Sequence, residues 1–339
     1  MPAALAPPPS RSAAADDTAR GGGAFPGGKR FAFTLLDDTD DATVENVRPV
    51  YDLLHELGMR TTKTAWPLDC PEGSELYFAG ATLQEGDYLA FVRELVERGF
   101  ELAFHNATME TSDRERTLRG LRFLDERVGA PMAIHCNHGQ NGENLYWGAH
   151  RYRTALLRLP LLAAERIARR PRFDGHDPAS PRFWGDVCRE RFRFVRNFTF
   201  PVLNSGAIPP HGPYRLRSTP WVRHWFNTAD APDAAAFKRL VTRRAVDRLV
   251  AEGGVCILST HLGKGFARGG RVDPAVEDAL RHVASLDGWF VPASTILEHQ
   301  LAMRGTAEIS PIVRWGLEMR HLASLVRSRF SSPRSPAAP

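Results

Sequence analysis

The chain is short of lysine, of cysteine and of any long apolar run. Lysine occurs only at Lys29, Lys63, Lys238 and Lys264, so the net charge of +5 is carried by arginines scattered among acids. No basic run with interleaved aromatics appears, which argues against a nucleic-acid partner. Cys70, Cys136, Cys188 and Cys256 form no CxxC pair, and their spacing fits neither a zinc ribbon nor a disulfide framework. Cys256 lies in an apolar run and reads as a small buried hydrophobe. No stretch of about 18 apolar residues exists, so no spanning helix is expected. MPAALAPPPSRSAAADD lacks a basic start followed by an apolar segment. No signal peptide is expected, and the expected location is the cytoplasm.

What is there is a chain of 339 residues with 43% hydrophobic content, enough for one large α/β domain or two ordinary ones. Residues 1–28, rich in Ala, Pro, Gly and Ser, read as a disordered arm, and 331–339 as a disordered tail. Between them short apolar runs alternate with amphipathic helical patterns, the mark of βα units around a parallel sheet. Strands are expected at 30–36, 61–68, 100–106, 131–139, 222–229, 253–263 and 288–294. Helices are expected at 44–58, 86–98, 113–128, 233–251 and 274–286. Pro49 is tolerable only in a first turn, so the first helix is expected to begin late. Residues 143–220 read as an irregular, insertion-rich part of a barrel spanning 29–304. An amphipathic helix follows within 305–330. Seven or so βα units suggest a closed barrel, whose chemistry lies where strands end and loops begin.

That geometry selects the polar residues at strand ends. FTLLDDTDD (33–41) runs an apolar strand into four carboxylates, which repel one another and are costly to desolvate. Asp37 and Asp38 end the first strand, and Asp40, Asp41 or Thr43 are expected to cap the following helix. Lys63 lies in the second strand. His105 ends the third, His135 and His138 the fourth, and His261 a later one. Converging Asp and His suit a divalent ion such as Zn²⁺, which would also relieve the carboxylate repulsion. His55, His282 and His299 fall in helices and read as surface residues, while His176 in its loop stays undecided. Trp147, Trp184, Trp221 and Trp225 are expected either to stack on sugar rings or to pack in the core.

The order of these motifs resembles the polysaccharide deacetylase (NodB-homology) family, carbohydrate esterases with a distorted (β/α)7 barrel. FTLLDD resembles the first motif, GFELAFHNATMETS the second, HCNHGQNGEN the third, STHLG a later strand-end His motif, and DGWFVPASTILEH the closing strand and helix. The resemblance covers roughly 30–130 and 253–300. It implies a metal-dependent hydrolase removing acetyl groups from N-acetylated sugars. Asp37 would be the catalytic base, His261 the general acid, and Asp38 and His105 metal ligands. Met109 stands where the family has a second metal-binding His, and His135 where it has an Arg. A thioether does not serve Zn²⁺ as imidazole does. His138 is the first candidate for the third ligand and Glu110 the second. GHDPASPRFWGD and VRNFTF resemble phrases of a subgroup found near surface-polysaccharide and O-antigen synthesis genes. A metal-free barrel binding a glycan or biosynthetic partner is the alternative, and a hydrolase of another C–N or glycosidic bond a third. In SPIVRWGLEMRHLASLVRSRF (310–330), Ile312, Trp315, Met319, Leu322, Val326 and Phe330 share one helical face. Such a basic amphipathic helix either docks on the barrel or a partner chain, or lies on an anionic membrane.

Overall fold

The computed structural model describes residues 24–71, 73–74 and 80–331. The expected N-terminal arm lies outside the described residues as far as residue 23, and the expected tail lies outside them from residue 332. Phe25, placed in that arm by sequence, is buried, with its ring 6.0 Å from Trp289.

Seven parallel strands close on themselves. They are β1 (Phe31–Asp37), β2 (Thr62–Ala65), β3 (Glu101–Phe104), β4 (Ile134–His135), β5 (Phe194–Phe200), β6 (His224–Asp230) and β7 (Val255–Thr260). Each pairs with the next, and β7 returns to β1 along six residues, from Ala32↔Val255 to Asp37↔Thr260. A short β8 (Gly288–Trp289) pairs only with the start of β1. This is the expected (β/α)7 barrel.

The helices are α1 (Val44–Glu56), α2 (Gly86–Glu97), α3 (Arg114–Arg127), α4 (Ala155–Ile167), α5 (Gly185–Arg191), α6 (Ala234–Leu240), α7 (Arg243–Ala251), α8 (Pro274–Ala284), α9 (Ala293–Arg304) and α10 (Pro311–Ser331). Thr43 caps α1 in a reciprocal box with Asn46. Pro49 does not delay this helix. It sits well inside, at a local cost of about 3 kcal/mol. Val47, Val50, Tyr51, Leu53 and Leu54 are buried from the same helix, at about 1.5–3 kcal/mol each, which outweighs the lost bond. The helix expected over 233–251 is two, because Thr242 leaves the helical region and its side chain accepts from Ala245 N to start α7. VRNFTF, read from sequence within an irregular region, belongs to barrel strand β5.

Successive side chains of a strand face opposite ways, and the two faces carry separate cores. Ala32 and Leu36 of β1 meet Ala103, Ile134, Phe194, Phe226, Val255 and Ile257 inside the barrel. Phe31, Phe33 and Leu35 face the helix layer with Val47, Tyr51 and Leu54. This alternation decides which strand-end residues enter the mouth.

Candidate active site

Asp37 continues the outward set of β1. Its carboxylate is fully buried beneath α1, 2.9 Å from Lys63 Nζ, and accepts from Tyr51 Oη (2.9 Å) and Leu262 N (2.8 Å). It does not reach the mouth, and Lys63 is held with it. Asp38 continues the inward set and lines a cavity of about 390 Å³ at the C-terminal ends of the strands. Arg196 of β5 donates to both its oxygens (2.9 and 2.7 Å) and to Ser259 Oγ (2.6 Å). Burial opposes ionisation of Asp38, but the charge and hydrogen bonds of Arg196, together with His105 and His261, outweigh it and hold the carboxyl below the usual carboxylate range.

The carboxylate that faces the histidines is Asp40. From sequence it is one of three candidates for the helix cap, with Asp41 and Thr43, and Thr43 fills that role. Asp40 Oδ1 lies 3.5 Å from His105 Nε2 and 3.7 Å from His138 Nε2, and Oδ2 lies 3.5 Å from His261 Nε2. The donor atoms of Asp40, His105 and His138 all fall within 4.8 Å of one another.

The proton positions follow from the other ring nitrogens. His105 Nδ1 faces Cys136 O at 2.9 Å and His261 Nδ1 faces Pro232 O at 2.8 Å, so each must donate there. His138 Nδ1 meets Asn141 Oδ1 at 2.8 Å, and Asn141 Nδ2 is committed to Thr108 O, Glu110 O and Glu143 Oε1. Nδ1 of His138 is therefore a donor as well. With His105 and His138 neutral, two Nε2 lone pairs converge on one carboxylate, and Asp40 Oδ1 is buried with no hydrogen-bond partner. Lys264 approaches only the other oxygen, at 3.4 Å. A cation fits this set, and backbone or amide acceptors fix the rings as they do around bound metals. Burial pushes the His105 imidazole down. For His138 burial is outweighed by Asp40, which raises it.

The segment HCNHGQNGEN positions His138. Asn106, whose φ of 65° turns the chain directly after His105, accepts from His138 N (3.0 Å) and donates to Glu143 Oε1 (2.7 Å) and Asn144 Oδ1 (2.9 Å). Glu143 also accepts from Ser112 N, and burial raises its carboxyl. This clasp joins the loops after β3 and β4.

The remaining expectations separate cleanly. Met109 lines the cavity and packs with Trp66 and Cys70. Glu110 is engaged by Ser74 and Arg116, outside the cavity wall. His135 faces outward against Phe104, Trp184 and Phe192, and burial pushes it down to about 3. His176 accepts from Tyr146 N and stacks on that ring, away from the cation set. Trp184 and Trp225 are core residues and Trp221 packs on Phe183, whereas Trp147 lines the cavity under Arg151. Sequence reasoning missed Asp40, Arg196, Asp230 and Asn141. Asp230, at the end of β6, lines the same cavity, and burial raises its carboxyl. The alternation of β1 was the available signal for Asp38 over Asp37.

No protein-family model and no curated protein matches the chain. Solved structures do. A protein from Mycobacterium smegmatis assigned as a polysaccharide deacetylase superposes with a TM-score of 0.52 at 15% identity, covering 84% of this chain and 95% of that one. The chain has the polysaccharide deacetylase fold. The catalytic domain of a peptidoglycan N-acetylglucosamine deacetylase from Eubacterium rectale matches over 87% of this chain and 95% of its own, at 13% identity and a TM-score of 0.34.

Proposed function

We propose that the chain is a metal-dependent hydrolase that removes the acetyl group from an N-acetylated sugar during polysaccharide or glycoconjugate assembly. The observation that carries this reading is the buried, unpartnered Asp40 Oδ1 facing the free Nε2 atoms of His105 and His138. These three residues would hold a divalent cation such as Zn²⁺, which when bound polarises a carbonyl and acidifies water. Asp38 is the proton acceptor, because its carboxylate is ionised, exposed to the cavity and steered by Arg196. Asp37, the base suggested by resemblance, is tied to Lys63 beneath the helix layer. His261, anchored through Nδ1 on Pro232 O, presents Nε2 to the cavity and, in its protonated form, gives that Nε2 proton to the departing amine. Trp147, with Arg151 stacked on its ring, gives the cavity wall a contact for a sugar. The metal-free alternative rested on Met109, and His138 supplies an imidazole in its stead.

Purified protein dialysed against zinc should retain about one equivalent and release acetate from N-acetylglucosamine oligomers, with a chelator abolishing release. Asp38→Asn should keep the metal and lose about 10²- to 10⁴-fold in rate. A protein that emerges metal-free, or an Asp38→Asn variant as fast as the parent, contradicts the reading.

A further inference from the structure

Every large apolar side chain left exposed among the described residues lies on α4, on α10 or at the end of α9. Leu156 is 85% exposed, Ile167 84% and Ile312 81%, with Trp315 and Val326 about half exposed. Of the expected apolar stripe of α10, Leu322 packs on the core, whereas Ile312, Trp315, Met319 and Val326 stay exposed. The helix docks through Leu317, Glu318 and His321 as well. Glu318 accepts from Arg153 N (2.8 Å) and Thr154 N (3.2 Å), at the entry to α4, and Tyr152 Oη lies 2.7 Å from His321 Nδ1. These bonds tie the middle of α10 to the segment that enters α4.

The charges on this surface have one sign. Glu318 is buried, and Glu165 of α4 turns inward to accept from Ala149 N. Arg166, Arg169, Arg170, Arg320 and Arg327 are exposed. Apolar side chains interspersed with arginine and free of exposed carboxylates match the interface of an anionic bilayer. A second copy related by a two-fold axis would set like charges against each other. No helix among the described residues is long and apolar enough to cross a membrane, so contact would be peripheral.

We propose that α4 and α10 form one face that lies on anionic phospholipid. Trp147 and Arg151, in the wall of the catalytic cavity, precede α4 in the same mouth-side excursion, so the docked protein holds its mouth beside the lipid plane. The face is independent of the metal site, and its test uses no activity.

The full chain is sedimented with vesicles of phosphatidylglycerol and phosphatidylcholine, and with phosphatidylcholine alone. Binding is expected to the anionic vesicles and to fall with salt. Ile312→Ser/Trp315→Ser, and separately Arg166→Glu/Arg169→Glu, should each weaken it by roughly tenfold or more with circular dichroism unchanged. Absence of binding to anionic vesicles, undiminished binding by folded variants of both kinds, or a stable dimer that the Ile312/Trp315 variant dissolves would each overturn the proposal.

Discussion

Asp37 and Asp38 are neighbours in sequence and face opposite sides of the barrel wall. One pairs with Lys63 in the helix layer and the other opens onto the cavity. Removing one partner of a buried ion pair strands the other charge, at about 3–5 kcal/mol. Asp37→Asn should therefore lower unfolding free energy by about that amount while leaving metal stoichiometry intact. Asp40→Asn should do the reverse, losing the metal with a smaller loss of apo-protein stability, since Asp40 Oδ1 has no hydrogen bond to lose and Oδ2 only long contacts with Lys264 (3.4 Å) and His261 (3.5 Å). Urea melts combined with metal analysis separate the two, and metal loss in Asp37→Asn with retention in Asp40→Asn would reverse the assignment. In sequence the four carboxylates are equivalent; which one faces inward depends on strand phase and on where the turn after β1 bends. Asp41 has a φ of 58°, a local conformation that a run of aspartates does not announce.

At the scale of elements, the legible parts are those with strong periodicity. The strand–helix alternation from β1 to α3 and from β7 to α8 is plain, because each apolar face is continuous and each turn has its stop. β5 was hidden because VRNFTF carries Arg196 and Asn197 in its middle: Arg196 serves the mouth, and the buried Asn197 donates to Tyr214 Oη. The docking face of α10 was hidden for a related reason: Glu318 and His321 dock beside Leu317 and Leu322, while Ile312, Trp315, Met319 and Val326 stay out. Buried among Tyr152, Phe198 and Phe200, His321 has its pKa pushed down by burial to about 2. An unfolded histidine titrates near 6.5. Between those limits only the unfolded chain takes the proton. This group's stabilisation is therefore intact above pH 6.5 and falls as pH drops, by about 1.4 kcal/mol per pH unit. His321→Gln should remove that slope. From pH 6.5 to pH 5 the parent should lose about 2 kcal/mol more than the variant in denaturant melts, and identical slopes would count against a neutral buried His321.

At the scale of the whole molecule, the barrel is closed by the partners farthest apart in the chain. β1 and β7 pair along six residues, and Asp37 is held by Leu262 N just beyond β7. A fragment ending at Gly253 lacks β7 and leaves β1 with an open edge along that whole side. It should show no cooperative thermal transition by circular dichroism, and a sharp melt near that of the full chain would refute this dependence on closure.

The same closure sets a timetable for synthesis. The aspartate loop 37–41 leaves the ribosome early, yet Asp38 waits for Arg196 and Ser259, and Asp37 for Leu262. Until Thr260 has emerged, an apolar strand with unpaired backbone is a template for strangers, and a cell making this protein in quantity must shield it from its own unfinished copies.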